Sequence, residues 1–139
     1  MGYFKDEEDV YRFIGRLFQE LIEDPDLGPR FHRSNTTVQY QMRDPVSQIT
    51  VHMRPEEEMR VDLGPSDLEP EVIMELDADT AHRFWLGKVN VTIAIARGQI
   101  RTKGPTAKVL KLVPLVKPVF PRYRAQLEAA GRSDLLSGF

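Results

Sequence analysis

The sequence predicts an α+β domain, and three observations carry that expectation. Residues 6–23 keep helical spacing of apolar side chains. Residues 37–76 switch to a period of two, in short runs separated by turn-forming residues. Residues 87–131 are rich in Val, Leu and Ile and are interrupted by Pro105, Pro114, Pro118 and Pro121. A chain of 139 residues is the length of a single domain, so one domain is expected over 1–139, with a mobile tail over 132–139. A chain of this size buries roughly two-thirds of its unfolded surface, enough for a core and an internal cavity.

In the first helix Val10, Phe13, Ile14, Leu17, Phe18, Leu21 and Ile22 fall on one stripe. Asp6 can cap its start, Glu7, Glu8 and Asp9 suit the positive end of its dipole, and Pro25 ends it. Residues 25–35 read as a loop. Alternation then predicts strands at 37–43, 48–54, 58–63 and 71–76. Their short connections favour an antiparallel meander with one face buried. Asp77 or Asp79 can cap a short helix over 80–86, which Gly87 stops. The run Val89–Ala96 is open to two readings: its alternation suits a strand, whereas Asn90 and Gly98 suit the two ends of a short helix. Residues 99–103 form a fifth strand with Ile100 and Thr102 on one face. Gly104-Pro105 starts a further helix, which Pro114 and Pro118 must kink or break. A last helix over about 119–130 ends at Gly131. In the tail, Leu135, Leu136 and Phe139 are the residues able to tuck in.

The net charge of −2 conceals a split. Between Thr80 and Leu127 there are ten basic residues and no acid, while the rest of the chain holds nine basic residues against 21 acidic ones. Two readings follow: internal complementarity between the halves, or docking to a phosphate-bearing partner. Nucleic acid is not expected, because the basic run lacks interleaved aromatics and no helix-turn-helix is visible. An enzyme is not expected either. His32, His52 and His82 lie in different elements without metal-ligand spacing, and His52 falls on the polar, exposed side of a strand. The serines at 34, 47, 66 and 133 sit in loops outside any nucleophile-elbow context, and Asp77 and Asp79 read as caps. There is no cysteine, and no metal or cofactor is implied. No 18-residue apolar run or secretory signal is visible, so the cytoplasm is the expected compartment.

The segment from Asp79 to Gly104 resembles the sterol carrier protein 2 family. Gly87-Lys88 ends one helix, a short helix over Asn90–Ala96 follows, and a strand is framed by Gly98-x-Ile100-x-x-x-Gly104. The apolar run Leu110–Val116 adds to the likeness, which is residue-specific over about 79–116. The resemblance selects the helical reading of 89–96. It also implies a five-stranded, mainly antiparallel sheet covered on one side by helices, with a hydrophobic tunnel between the layers. The implied function is non-catalytic binding and transfer of fatty acids, acyl-CoA, phospholipids or sterol-like molecules. The prolines at 114, 118 and 121 depart from the family pattern and bear on the shape of the cavity mouth.

The candidate site follows from this reading. Met42, Met53, Met59 and Met74 all fall on the inward set of the strands, where flexible thioethers make an adaptable wall. Phe84, Trp85, Val91, Ile95, Val109, Leu112, Val113, Val116 and Phe120 are expected to form the opposite wall. Lys108, Lys111, Lys117, Arg122 and Arg124 are the candidates for an anionic headgroup or a transient membrane contact. The expected partner is a lipid or acyl-CoA. The alternative is an accessory interaction module, self-associating as a homodimer or presenting a lipid substrate to a partner enzyme.

Overall fold

The computed structural model describes residues 2–136. A five-stranded sheet has the order β3-β2-β1-β4-β5. Its strands are β1 (Thr36–Arg43), β2 (Ser47–Met53), β3 (Arg60–Leu63), β4 (Val72–Asp77) and β5 (Ile100–Lys103). β1 pairs antiparallel with β2, β2 with β3, and β4 with β5. The expected meander is corrected at one point: β4 does not follow β3 across the edge but returns to lie parallel to β1, with Val38 opposite Val72 and Tyr40 opposite Met74. Alternation marks which face of a strand is buried, and it carries no information about the neighbouring strand.

One sheet face is apolar. Val38, Met42, Ile49, Val51, Met53, Val72, Met74, Leu76 and Ile100 are buried on it. The opposite face carries a polar lattice, with Gln39 Nε2 donating to Thr50 Oγ1 at 3.2 Å. His52 lies there as expected, but it is not exposed: its ring spans Thr37 Oγ1 and a Glu57 carboxylate oxygen, each at 2.7 Å, and 13% of the side chain meets solvent.

The N-terminal helix covers part of the apolar face in two stretches, α1 (Glu7–Val10) and α2 (Arg16–Glu23), joined by a π-helical turn at Tyr11–Gly15. Asp6 caps it through the Asp9 N–H. Val10, Phe13, Ile14, Leu17, Phe18 and Leu21 are buried, each adding roughly 1.5–3 kcal/mol of apolar burial. The π turn was not visible in the spacing. Within it, the Phe13 carbonyl accepts Gln126 Nε2 at 2.8 Å. The expected loop at 25–35 contains a short helix, α3 (Leu27–His32), which Asp24 starts by accepting the Asp26 and Leu27 N–H groups. Leu27 and Phe31 anchor it in the core.

The remaining helices are α4 (Ala78–Trp85), α5 (Val91–Ala96), α6 (Thr106–Val116) and α7 (Phe120–Ala129). The ambiguous run 89–96 is therefore helical, with Asn90 Oδ1 accepting the Ile93 N–H at 3.1 Å. Two glycines frame β5 for different reasons. Gly98 closes α5 with φ +76° and open space around it, whereas Gly104 has φ +98° and a Cβ there would lie 2.2 Å from the Glu71 carbonyl oxygen. Pro114 sits inside α6, and the helix breaks beyond it into a 3-10 turn at Lys117–Val119. The tail is tied down in part: a 3-10 turn at Ser133–Leu136 buries Leu135. Phe139 lies outside the described residues.

His82 on α4 joins these pieces and is fully buried. Its Nε2 lies 2.7 Å from the Leu135 carbonyl, which can only accept, so Nε2 carries the proton. Nδ1 then accepts from the Tyr123 hydroxyl at 2.8 Å. The rings of Tyr3 and Phe4 pack on the imidazole, and Asp79 Oδ1 accepts the Tyr3 N–H at 2.9 Å. Burial holds the His82 pKa below its usual 6.5.

Two outcomes test this account. Gly104→Ala is expected to cost roughly 3 kcal/mol or more in urea unfolding, because strain and a backbone clash coincide; Gly98→Ala is expected to cost about 1 kcal/mol. The folded state favours neutral His82, so the stability this contributes is whole above pH 6.5 and is lost as pH falls through the depressed folded value. A His82→Asn variant should unfold at lower temperature throughout and show a flatter dependence of Tm on pH below neutrality.

Candidate functional site

The two halves of the apolar face are covered differently. The N-terminal helix lies toward β2 and β3 and fills that half. Over β1, β4 and β5 the cover is α4, α5 and α6, and these three leave a cavity of about 40 Å³. Its floor is Tyr40, Met74, Leu76 and Ile100 from the sheet. Ala81, Phe84 and Trp85 of α4 and Val91 of α5 form one side, and Val109, Leu112, Val113 and Val116 of α6 form the roof. No lining residue carries a charge. Among them only Tyr40 and Trp85 have a side-chain oxygen or nitrogen. Phe18 lies against both, stacked on Tyr40 at 5.2 Å and edge-on to Trp85 at 5.2 Å. Burial pushes the Tyr40 phenol pKa up, which keeps it protonated.

Eight of the residues singled out from the sequence meet here: Met74, Phe84, Trp85, Val91, Val109, Leu112, Val113 and Val116. Five do not line the cavity. Met42 is buried at the edge of a separate surface groove with Tyr11 and Val46. Met53 is buried opposite Thr36, on the half filled by the N-terminal helix. Met59 precedes β3 and borders a groove with Arg16 and Glu20. Ile95 packs half-buried on α5. Phe120 stands behind the wall, meeting Phe84 edge-on at 5.8 Å and covering Gly87. Sharing a face was the correct inference for the strand methionines; which part of that face lies under a gap depends on the helix layer. Tyr40, Leu76, Ala81 and Ile100 were missed as lining residues. The alternations Val38-Tyr40-Met42 and Val72-Met74-Leu76, with Ile100 on one face of the fifth strand, are the signals that could have found three of them.

The proposed docking cations divide as well. Lys108 Nζ donates to the Asn35 carbonyl at 2.9 Å and pairs with Glu71 at the start of β4. Arg54 pairs with the same carboxylate at 3.1 Å. The Lys108 hydrogen bond first, and then Arg54, hold the Glu71 carboxyl below the usual range. Arg122 pairs with Asp24, whose carboxyl is lowered chiefly by the Leu27 N–H. These two cations are structural. Lys111, Lys117 and Arg124 form no ion pair with a described residue. Among the described residues no cluster of His, Asp and Glu is arranged to hold a metal, and no helix is long and apolar enough to cross a membrane.

Residues 14–117 match the model of the SCP-2 sterol transfer family. The chain belongs to this family. Solved structures of family members share the fold. The sterol carrier protein domain 2 of Helicoverpa armigera superposes with a TM-score of 0.67 at 16% identity, over 87% of this chain and 95% of that one. Apo sterol carrier protein 2 from Yarrowia lipolytica gives 0.64 at 14% identity, over 76% and 88%. Palmitated SCP2L2 from Aedes aegypti gives 0.57 at 21% identity, over 78% and 94%. No curated protein sequence matches the chain. Membership in the SCP-2 family makes lipid binding and transfer the general activity, and the apolar cavity lies between the sheet and helix layers of that fold.

Trp85 reports on the integrity of the roof and floor. It is the chain's single tryptophan and is 2% exposed. Val109→Ala, at the roof, is expected to lower stability by about 1–2.5 kcal/mol and to shift the Trp85 emission. Met59→Ala, outside the cavity, should leave that emission unchanged.

Proposed function

We propose that this chain takes the hydrocarbon part of a lipid or acyl-CoA under α6 and carries it between membranes without chemical turnover. The observation that carries this reading is the predominantly apolar, charge-free cavity beneath α6. At about 40 Å³ it is closed far below the roughly 300–1,000 Å³ of a typical ligand site, so uptake requires the roof to lift. α6 is built for that. Its first turn is held by Lys108 on Glu71 and Asn35, while its second half contains Pro114, which cannot donate a helical hydrogen bond, and ends at the 3-10 turn with Pro118. Leu112 and Val113 are half-buried there. Burying a sixteen-carbon chain removes roughly 10 kcal/mol of apolar exposure at about 0.8 per methylene, and ordering and opening costs reduce this. Affinity therefore needs few specific contacts, and selectivity is loose. The palmitate carried by the Aedes relative makes an acyl chain a sensible first probe.

The outer stripe of α6 supplies the docking surface. Ala107, Leu110, Lys111 and Pro114 are exposed at helical spacing, with Lys117 just beyond, and no acid lies among them. An apolar ridge carrying two cations suits an anionic leaflet, at about 1 kcal/mol per cation. Lys108 and Arg122 are not part of this surface, because they are paired within the fold.

Native mass spectrometry with palmitate and palmitoyl-CoA tests the reading. One lipid retained per chain is expected. Leu112→Arg should abolish retention while Met59→Ala keeps it, and a chain that takes up neither ligand overturns the proposal. Replacing Lys111 and Lys117 together by Glu should slow transfer to phosphatidylserine vesicles at low salt, with little effect on neutral vesicles or on binding itself.

A further inference from the structure

The cavity has two polar groups and neither is satisfied. Tyr40 Oη and Trp85 Nε1 make no hydrogen bond with any described residue, and neither belongs to a residue with contacts beyond those described. Trp85 is 2% exposed, so its N–H is a donor withdrawn from bulk water without a protein partner. An unpaired buried donor is costly and uncommon. Both atoms nevertheless retain some accessible surface rather than being sealed by packing, and both residues line the same cavity. Phe18 packs against both rings from the helix layer, stacked on Tyr40 and edge-on to Trp85.

We propose that Tyr40 and Trp85 form a clasp for a single uncharged oxygen, so that a neutral lipid such as a long-chain alcohol, ketone or ester enters polar end first. This rests on the reading that the cavity takes up lipid, and it specifies the chemical class. An uncharged oxygen has two lone pairs and can accept from both donors. An ionised carboxylate is disfavoured at that depth, because no lining residue carries a positive charge to offset its desolvation. Burial also keeps the Tyr40 phenol protonated, so it remains a donor. Lipids with charged heads instead enter tail first and leave the head near Lys111 and Lys117 at the surface.

The test uses cetyl alcohol and palmitate at alkaline pH as chain-matched probes. Trp85 is the only tryptophan, so the nitrogen-15 spectrum contains one indole signal. With cetyl alcohol the indole proton is expected to move downfield and exchange more slowly; with palmitate it stays close to its ligand-free position. Tyr40→Phe should weaken cetyl alcohol binding by about tenfold more than it weakens palmitate binding. An indole signal that ignores bound alcohol overturns the clasp, as does a Tyr40→Phe variant that weakens both probes equally. Failure of both probes to bind overturns the lipid reading, and the clasp with it.

Discussion

A sheet with one apolar face has to cover all of that face, and in this chain no single helix is wide enough to do so. The N-terminal helix commits its stripe from Val10 to Leu21 to the β2–β3 half and packs it solid. The β1–β4–β5 half is left to α4, α5 and α6, which are shorter, turn at Gly87, Gly98 and Gly104, and meet imperfectly. The cavity is the consequence of that division. The parallel return of β4 beside β1 sets Met74 next to Tyr40, and the antiparallel pairing of β5 with β4 sets Ile100 next to Leu76, so the floor is continuous.

The supporting parts are held where the cavity needs a fixed frame. His82 links α4 to Tyr123 of α7 and to the Leu135 carbonyl, so the wall bearing Phe84 and Trp85 is anchored from behind. α6 carries its ion pair at one end, while its far end is held by burial of Val116 and Val119. Glu71 gathers Lys108 and Arg54 at its first turn, and two prolines weaken its far end. A sheet floor under a proline-interrupted helical roof is an arrangement suited to admitting an elongated apolar guest.

Part of the charge split is internal complementarity. Lys108, Arg122 and Lys103 meet acids from the other part of the chain, Glu71, Asp24 and Glu75. Lys111 and Lys117 stay outside these pairs, next to the exposed apolar residues of α6. A count along the sequence could not separate the two sets, because the partners lie far away in the chain: Arg122 finds Asp24, and Lys108 finds Glu71.

The sequence by itself determined what depends on near neighbours. Period and caps located the first helix, the five strands and α4, and the glycines around Ile100 supported the likeness to the family. Proline chemistry located the break after α6. The inward set of each strand was legible too, because a period of two leaves no choice of face. What tertiary structure decided was adjacency. β4 took β1 as its partner, a π turn appeared within a regular helical pattern, and α3 formed where only a loop was legible. The same limit governs the site: Met42, Met53 and Met74 share a face, yet Met74 alone among them meets the cavity, because the gap depends on which helices lie above. Tyr40 looked like one more alternating residue. Its hydroxyl became informative only once the structure showed that nothing nearby bonds to it.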